Sequence, residues 1–205
     1  LLILCLSFFY SYVLIFSLIL LSLISLVEFK KLIFKIFKNN FYKLAINLIF
    51  LIYLIIFSSL VFYGISQQNL KINMLFLFSI CVFSDVGGLL FGKIFKGKKL
   101  TKISPNKTIS GSVGSFILSL CLVPIFYFLL IEQFSNVLDL ILLAILVSFL
   151  CQLGDLFISF LKRKAKVKDT GDILPGHGGL LDRIDGMILA IPLGMFIWEF
   201  LIVII

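Results

Sequence analysis

The sequence predicts an all-α polytopic membrane protein with about six transmembrane helices. Three observations carry that reading: the composition, a series of apolar runs of spanning length, and the placing of the basic residues. Of the 205 residues, 61% are hydrophobic and 14% charged, against roughly 45–50% and about 25% in soluble chains. A soluble core of this size needs more charge on its surface, and a disordered chain needs low hydrophobicity. Both classes are excluded.

A spanning helix takes about 20 mostly apolar residues. Runs 1–27 and 44–66 carry no charge, and run 72–92 carries only Asp85. Run 108–131 is uncharged and begins in Gly and Ser, run 137–161 holds Asp139 and Asp155, and run 186–205 holds only Glu199. Leu1, not Met, opens the first run, so the chain is read as truncated at its N-terminus. Residues 1–27 lack the basic flank of a signal peptide. Cys5, Cys81, Cys121 and Cys151 each sit in an apolar run without a CxxC pair and are read as small packing residues.

The net charge of +8 settles the orientation. Lys30, Lys31, Lys35, Lys38 and Lys43 follow the first run; Lys93, Lys96, Lys98, Lys99, Lys102 and Lys107 follow the third. Lys162, Arg163, Lys164, Lys166, Lys168 and Arg183 follow the fifth, so every basic residue except Lys71 falls on alternate connections. The positive-inside rule makes that side cytoplasmic and turns both ends of this chain outward. The lysines at 30–43 are read as setting topology and touching anionic lipid. The other two loops carry glycines and acids as well, and chemistry is expected there.

Asp85 and Asp155 interrupt apolar runs near their cytoplasmic ends. A carboxylate at membrane depth costs several kcal/mol and usually faces a polar cavity. Asp155 and Ser159 share a helix face. Asp182 and Asp185 are three apart, so a helix starting near Leu180 points both to one side. With Asp155 across a helix pair they form an oxygen-ligand set for Mg²⁺, which favours a few carboxylates plus substrate phosphates. Pro175-Gly176-His177-Gly178-Gly179 offers open backbone amides to an anion. Lys162, Arg163 and Arg183 are suited to neutralising phosphate charge. A single histidine, His177, excludes a multi-histidine metal site; it either protonates a leaving group or holds the loop. These features point to phosphoryl or nucleotidyl chemistry on a lipid. Residues 1–79 are accordingly read as N-terminal transmembrane helices, and 80–205 as a catalytic transmembrane domain with two cytoplasmic loops.

At these residues the sequence resembles the phosphatidate cytidylyltransferases (CDP-diacylglycerol synthases). Their signature is matched by Ser159, Lys162-Arg163, Lys168-Asp169, Pro175, His177-Gly178-Gly179, Asp182-Arg183 and Asp185, and the stretch from Ser84 through Thr108 adds to it. Three positions depart from the family pattern: Ser110 for a glutamate, Ile158 for a charged residue, and Gly186 for a serine. None removes a ligand assigned above. The resemblance implies conversion of CTP and phosphatidic acid to CDP-diacylglycerol and pyrophosphate, in phospholipid biosynthesis. It implies Mg²⁺, as one or two ions, on Asp155 and Asp182, with Asp185 and Asp169 as auxiliary ligands or lysine-orienting groups. Ser159, Lys168 and His177-Gly178-Gly179 would contact CTP phosphates, and Asp85 and Lys107 would line the same cavity. The implied partners are CTP, phosphatidic acid and membrane lipids, with no nucleic acid; a homodimer is compatible with the reading. The implied location is the inner (cytoplasmic) membrane, multi-pass, with the active site on the cytoplasmic side. Two alternatives stand beside it: a CTP-dependent kinase of a polyprenol or other lipid alcohol, and a membrane transporter, which would place its site at the bilayer midplane between repeats.

Overall fold

The computed structural model describes residues 10–101, 103–104, 107–130, 136–171 and 178–204. Among these the regular structure is helical: α1 (Ser11–Ile36), α2 (Asn40–Ser66), α3 (Gln68–Phe95), α4 (Ile109–Leu120), α5 (Val123–Leu130), α6 (Val137–Lys164) and α7 (Leu181–Ile204). Six stretches are long and apolar enough to cross a membrane, with α4 and α5 together forming one of them. The chain is a multi-pass membrane protein, as its composition requires.

The boundaries differ from the sequence reading in physically informative ways. Lys30, Lys31, Lys35 and Lys43 belong to helices, not to a loop. The helix outlasts the uncharged run because Phe29, Leu32 and Ile33 continue its buried face beyond residue 27. The fourth run breaks at Cys121-Leu122, because Pro124 near the start of α5 has no N–H to give to the preceding turn. Lys71 lies within α3. The domain boundary expected at residues 79–80 also falls inside that helix.

The chain forms two compact units. The first holds the chain to Gln68 with Phe160–Ile184; the second holds Asn69–Ser159 and the chain from Asp185 onward. In the first, buried residues recur every three to four positions on α1 (Leu14, Leu18, Ser25, Glu28, Phe29, Leu32) and on α2 (Phe50, Leu54, Phe57, Val61). That spacing makes one stripe on each helix. Phe29 stacks on Phe50 with ring centroids 3.8 Å apart, and the Ser22 and Ser58 hydroxyls meet at 2.8 Å. Lipid tails are as apolar as leucine, so helix pairing rests on close packing and bonds like this one, worth about 0.5–2 kcal/mol each. Asn39 caps α2 by accepting the Phe41 N–H at 2.9 Å. At the end of α6, Lys166 takes a left-handed conformation (φ 55°), and the Val167 N–H reaches back to the Lys162 carbonyl at 3.0 Å. This Schellman-type turn sends the chain into the signature segment.

The second unit packs Phe76, Leu77, Ile80 and Cys81 of α3, Leu140, Leu143, Val147 and Cys151 of α6, and Ala190 and Ile191 of α7, all fully buried or nearly so. Small polar residues seam it: Ser84 and Ser148 hydroxyls lie 3.0 Å apart, and Ser115 donates to the Ser84 carbonyl at 2.7 Å. α3 and α4 touch backbone to backbone at Gly87 and Gly114, where a Cβ on either would collide with the other's carbonyl oxygen.

Candidate active site

The second unit assembles Asp85, Lys107, Cys151, Asp155 and Asp185. Lys107 is delivered by a loop that folds back on itself. Lys99 and Thr108 form an antiparallel bridge, and the Leu100 N–H donates to the Lys107 carbonyl at 2.8 Å. Thr108 then caps α4 by accepting the Gly111 N–H at 3.1 Å. Ser110 braces this loop, donating to the Lys96 carbonyl at 2.5 Å; that is what this chain does at one of its three departures from the family pattern. Thus placed, Lys107 Nζ donates to Asp155 Oδ2 at 2.7 Å in a largely buried ion pair. Asp85 lies within Coulombic reach of both Asp155 and Lys107, with its Oδ1 3.7 Å from Cys151 Sγ.

α6 and α7 cross closely beside Asp155. A Cβ on Gly154 would come within 2.5 Å of the Asp185 carbonyl oxygen; one on Gly186 would lie 2.9 Å from Asp155 Oδ1 and 2.5 Å from Cys151 Sγ. The crossing explains Gly186, the second departure: a serine there has no room. Ile158, the third, is buried at 3% exposure and serves the packing. Asp185 Oδ1 accepts the Gly186 N–H at 3.0 Å, and Ser159 is half-buried on α6.

The first unit holds Lys162, Lys168, Asp169, Gly178, Gly179 and Asp182. Lys162 Nζ donates to Asp182 Oδ1 at 2.6 Å, with both side chains largely buried. Asp182 Oδ2 accepts the Thr170 N–H at 2.9 Å, the Thr170 hydroxyl at 3.0 Å and the Gly179 N–H at 3.2 Å. This carboxylate is fully engaged by protein donors, so for it to ligate a metal one of those contacts must give way. Gly178 holds φ +80°, a conformation favouring glycine, and lies over Asp169. Arg163 and Arg183 are exposed. His177 and Pro175 lie outside the described residues.

One residue of this group was not anticipated. Glu28 of α1 is 0% exposed. Its carboxylate accepts the Thr170 hydroxyl at 2.9 Å, the Leu180 N–H at 3.0 Å and the Leu181 N–H at 2.8 Å. The first N–H groups of a helix have no partner within it and favour an anion; at α7 the anion is Glu28. Of the glycine run expected to offer its amides to a substrate, Gly179 instead gives its N–H to Asp182, and the Leu180 and Leu181 N–H groups that follow it go to Glu28. Gly171 and Gly179 are small because Glu28 occupies the space: a Cβ on either would lie 2.6 Å from a carboxylate oxygen. A signal existed, since Glu28 is the only acidic residue before Asp85.

Among the described residues, no group of three or more His, Cys, Asp or Glu side chains converges closely enough to hold a metal. What the second unit offers is Asp155 with Asp85 in Coulombic reach of it, and Asp185 on the helix that crosses at Gly154. That donor set fits a Mg²⁺ ion held by one or two carboxylates and completed by substrate phosphates.

The model of the cytidylyltransferase family matches residues 1–201. The phosphatidate cytidylyltransferase of Rickettsia typhi is 40% identical over 150 residues, covering 70% of this chain and 65% of that protein. The enzyme of that name from Staphylococcus epidermidis is 42% identical over 133 residues, 64% of this chain and 50% of its own length. That from Rickettsia felis is 42% identical over 149 residues, 68% of this chain and 64% of its length. The chain spans between half and about two thirds of the length of these relatives.

Proposed function

The chain belongs to the cytidylyltransferase family, and on that premise we propose that it converts CTP and phosphatidic acid to CDP-diacylglycerol and pyrophosphate. The observation that carries the reading is the run from Ser159 to Asp185, in which every signature position is filled, in a chain 40% identical over 150 residues to a relative bearing that name. A phosphate oxygen of phosphatidic acid attacks the α-phosphorus of CTP. The bond from that phosphorus to the bridging oxygen of the β-phosphate breaks, and pyrophosphate leaves with the electron pair. The lipid phosphate is already an anionic nucleophile and needs no strong base. The barrier lies in bringing two anions together, so catalysis is mainly positioning and charge neutralisation.

Mg²⁺, held by Asp155 and Asp185 with Asp85 beside them, would supply the larger part of that neutralisation. Lys107, already aimed at Asp155, exchanges its carboxylate for a substrate phosphate. Lys168, Arg163 and Arg183 contribute cationic contacts, and Ser159 a hydroxyl. Asp182 acts through Lys162 and Thr170, whose positions it sets. We place the basic helix ends, and with them the reaction, on the cytoplasmic side of the inner membrane. The lipid-bound product then leaves sideways between helices.

CTP labelled at the α-phosphorus tests the reading on membranes supplied with phosphatidic acid. Label entering lipid is the expected result. Label remaining in CDP would establish the lipid-alcohol kinase instead, and nucleotide-independent flux would establish a transporter.

A further inference from the structure

At the basic end of α1 the first unit forms a wide-mouthed cavity of about 880 Å³ between Val27–Lys35 and Val167–Gly171. This lies within the roughly 300–1,000 Å³ range of small-molecule sites. Lys30, Lys31, Lys35 and Lys168 line it, with Asp169 the one acid among the lining residues. Lys31, Lys35 and Lys168 make no ion pair with a described carboxylate, and the acid that α1 does carry, Glu28, is buried and committed to Thr170, Leu180 and Leu181. Among the described residues the cavity lining therefore carries a net positive charge, suited to a multiply charged anion. Its wall is also apolar. Val27 and Phe34 are 48% and 51% exposed, and the Lys30 and Lys43 ammonium groups lie 5.8 and 4.7 Å from the Phe34 ring centroid. A soluble anion has no use for such a wall, whereas a lipid phosphate would lay its glycerol and first acyl carbons on it.

We propose that this cavity receives the phosphate-monoester head group of a lipid, with Lys31, Lys35 and Lys168 as its anion contacts and Val27 and Phe34 against its stem. α1 crosses the membrane, so its basic end lies at head-group depth. The far wall is the signature segment carrying Lys168 and Asp169, so a head group bound here lies directly against that segment. The lysines that composition assigned to topology thereby acquire a substrate. The proposal rests on phosphatidic acid being the nucleophile, and its test reads binding independently of turnover.

The purified protein in detergent is titrated calorimetrically with dioctanoyl phosphatidic acid, dioctanoyl phosphatidylcholine, inorganic phosphate and CTP. Lys31→Gln/Lys35→Gln should weaken phosphatidic acid binding at least about tenfold, the scale of losing charge-assisted contacts, while CTP affinity stays within about twofold. A charge-matched Lys38→Gln/Lys93→Gln variant, changed at two exposed sites outside the lining, should bind like the parent. Unchanged phosphatidic acid binding in the first variant overturns the proposal. So does equal affinity for inorganic phosphate, which marks a free-anion site, or a parallel loss of CTP binding, which marks a nucleotide site. If binding behaves as expected while α-labelled CTP yields no lipid product, the reaction fails and the head-group site stands.

Discussion

Glu28 and Thr170 are 142 positions apart in the chain, yet Thr170 Oγ1 donates to Glu28 Oε2 at 2.9 Å in a fully buried contact. The same hydroxyl lies 3.0 Å from Asp182 Oδ2. It has one proton to give and two carboxylates to serve. A residue of the first membrane helix thus fixes both the end of the signature loop and the first turn of α7.

Glu28→Gln should destabilise the protein by about 2–4 kcal/mol, because an amide NH₂ cannot accept and leaves at least one of the α7 N–H groups or the Thr170 hydroxyl unsatisfied. Thermal unfolding in detergent measures it. Limited proteolysis should show faster nicking between residues 166 and 181. A variant melting with the parent would show that α7 does not need this cap.

Lys162→Met should cost about 2–4 kcal/mol, since it strands Asp182 as a mostly buried charge. Lys162→Met/Asp182→Leu should recover part of that loss while remaining inactive. Asp182→Asn should lower cytidylyl transfer by about 100-fold, as expected of a group that orients others. Near-normal turnover in Asp182→Asn would remove Asp182 from the machinery altogether.

Lys107→Met breaks the 2.7 Å pair with Asp155. Steady-state kinetics should show the KM for CTP raised about tenfold, with Asp155→Asn losing far more in kcat than in KM. Equal effects of the two substitutions on kcat alone would place Lys107 outside substrate binding.

Gly186→Ser, which restores the residue usual in the family, should be destabilising by about 1–3 kcal/mol through overpacking. The new Cβ meets Cys151 Sγ, Asp155 Oδ1 and the Cys151 carbonyl oxygen. Adding Cys151→Ala should return part of the loss, because it clears the sulfur but not the backbone. Melting curves of the single and double variants decide this.

The residues of the candidate site are named by the sequence, while their partners are not. Asp85 and Asp155 stand out because a carboxylate in an apolar run is costly enough to need a reason, Asp182 and Asp185 because a three-residue spacing puts both on one helix face, and Lys162, Lys168 and Gly179 because their spacing around those acids is specific. What the spacing could not reveal was which donor each acid takes. Asp182 was read as a metal ligand, yet its oxygens face Lys162, Thr170 and Gly179. Glu28 escaped notice because it follows directly on an uncharged run and looks like the edge of the membrane span. Lys31 and Lys35 look like loop lysines because they follow the end of the uncharged run, although the helix carrying them runs on to Ile36.

The sequence by itself determined the class of the protein, the six apolar stretches of spanning length and the residues of the signature. These follow from the length of apolar runs and the order of charges, which are properties of neighbouring residues along the chain. Only the tertiary structure decided that the N-terminus of α7 is closed by Glu28, that Lys107 meets Asp155, and that lysines of α1 share a cavity with Lys168. Those are pairings between residues from 48 to 153 positions apart or walls built from distant segments. A buried donor or acceptor takes whatever partner packing brings within about 3 Å, and local sequence carries no record of that choice.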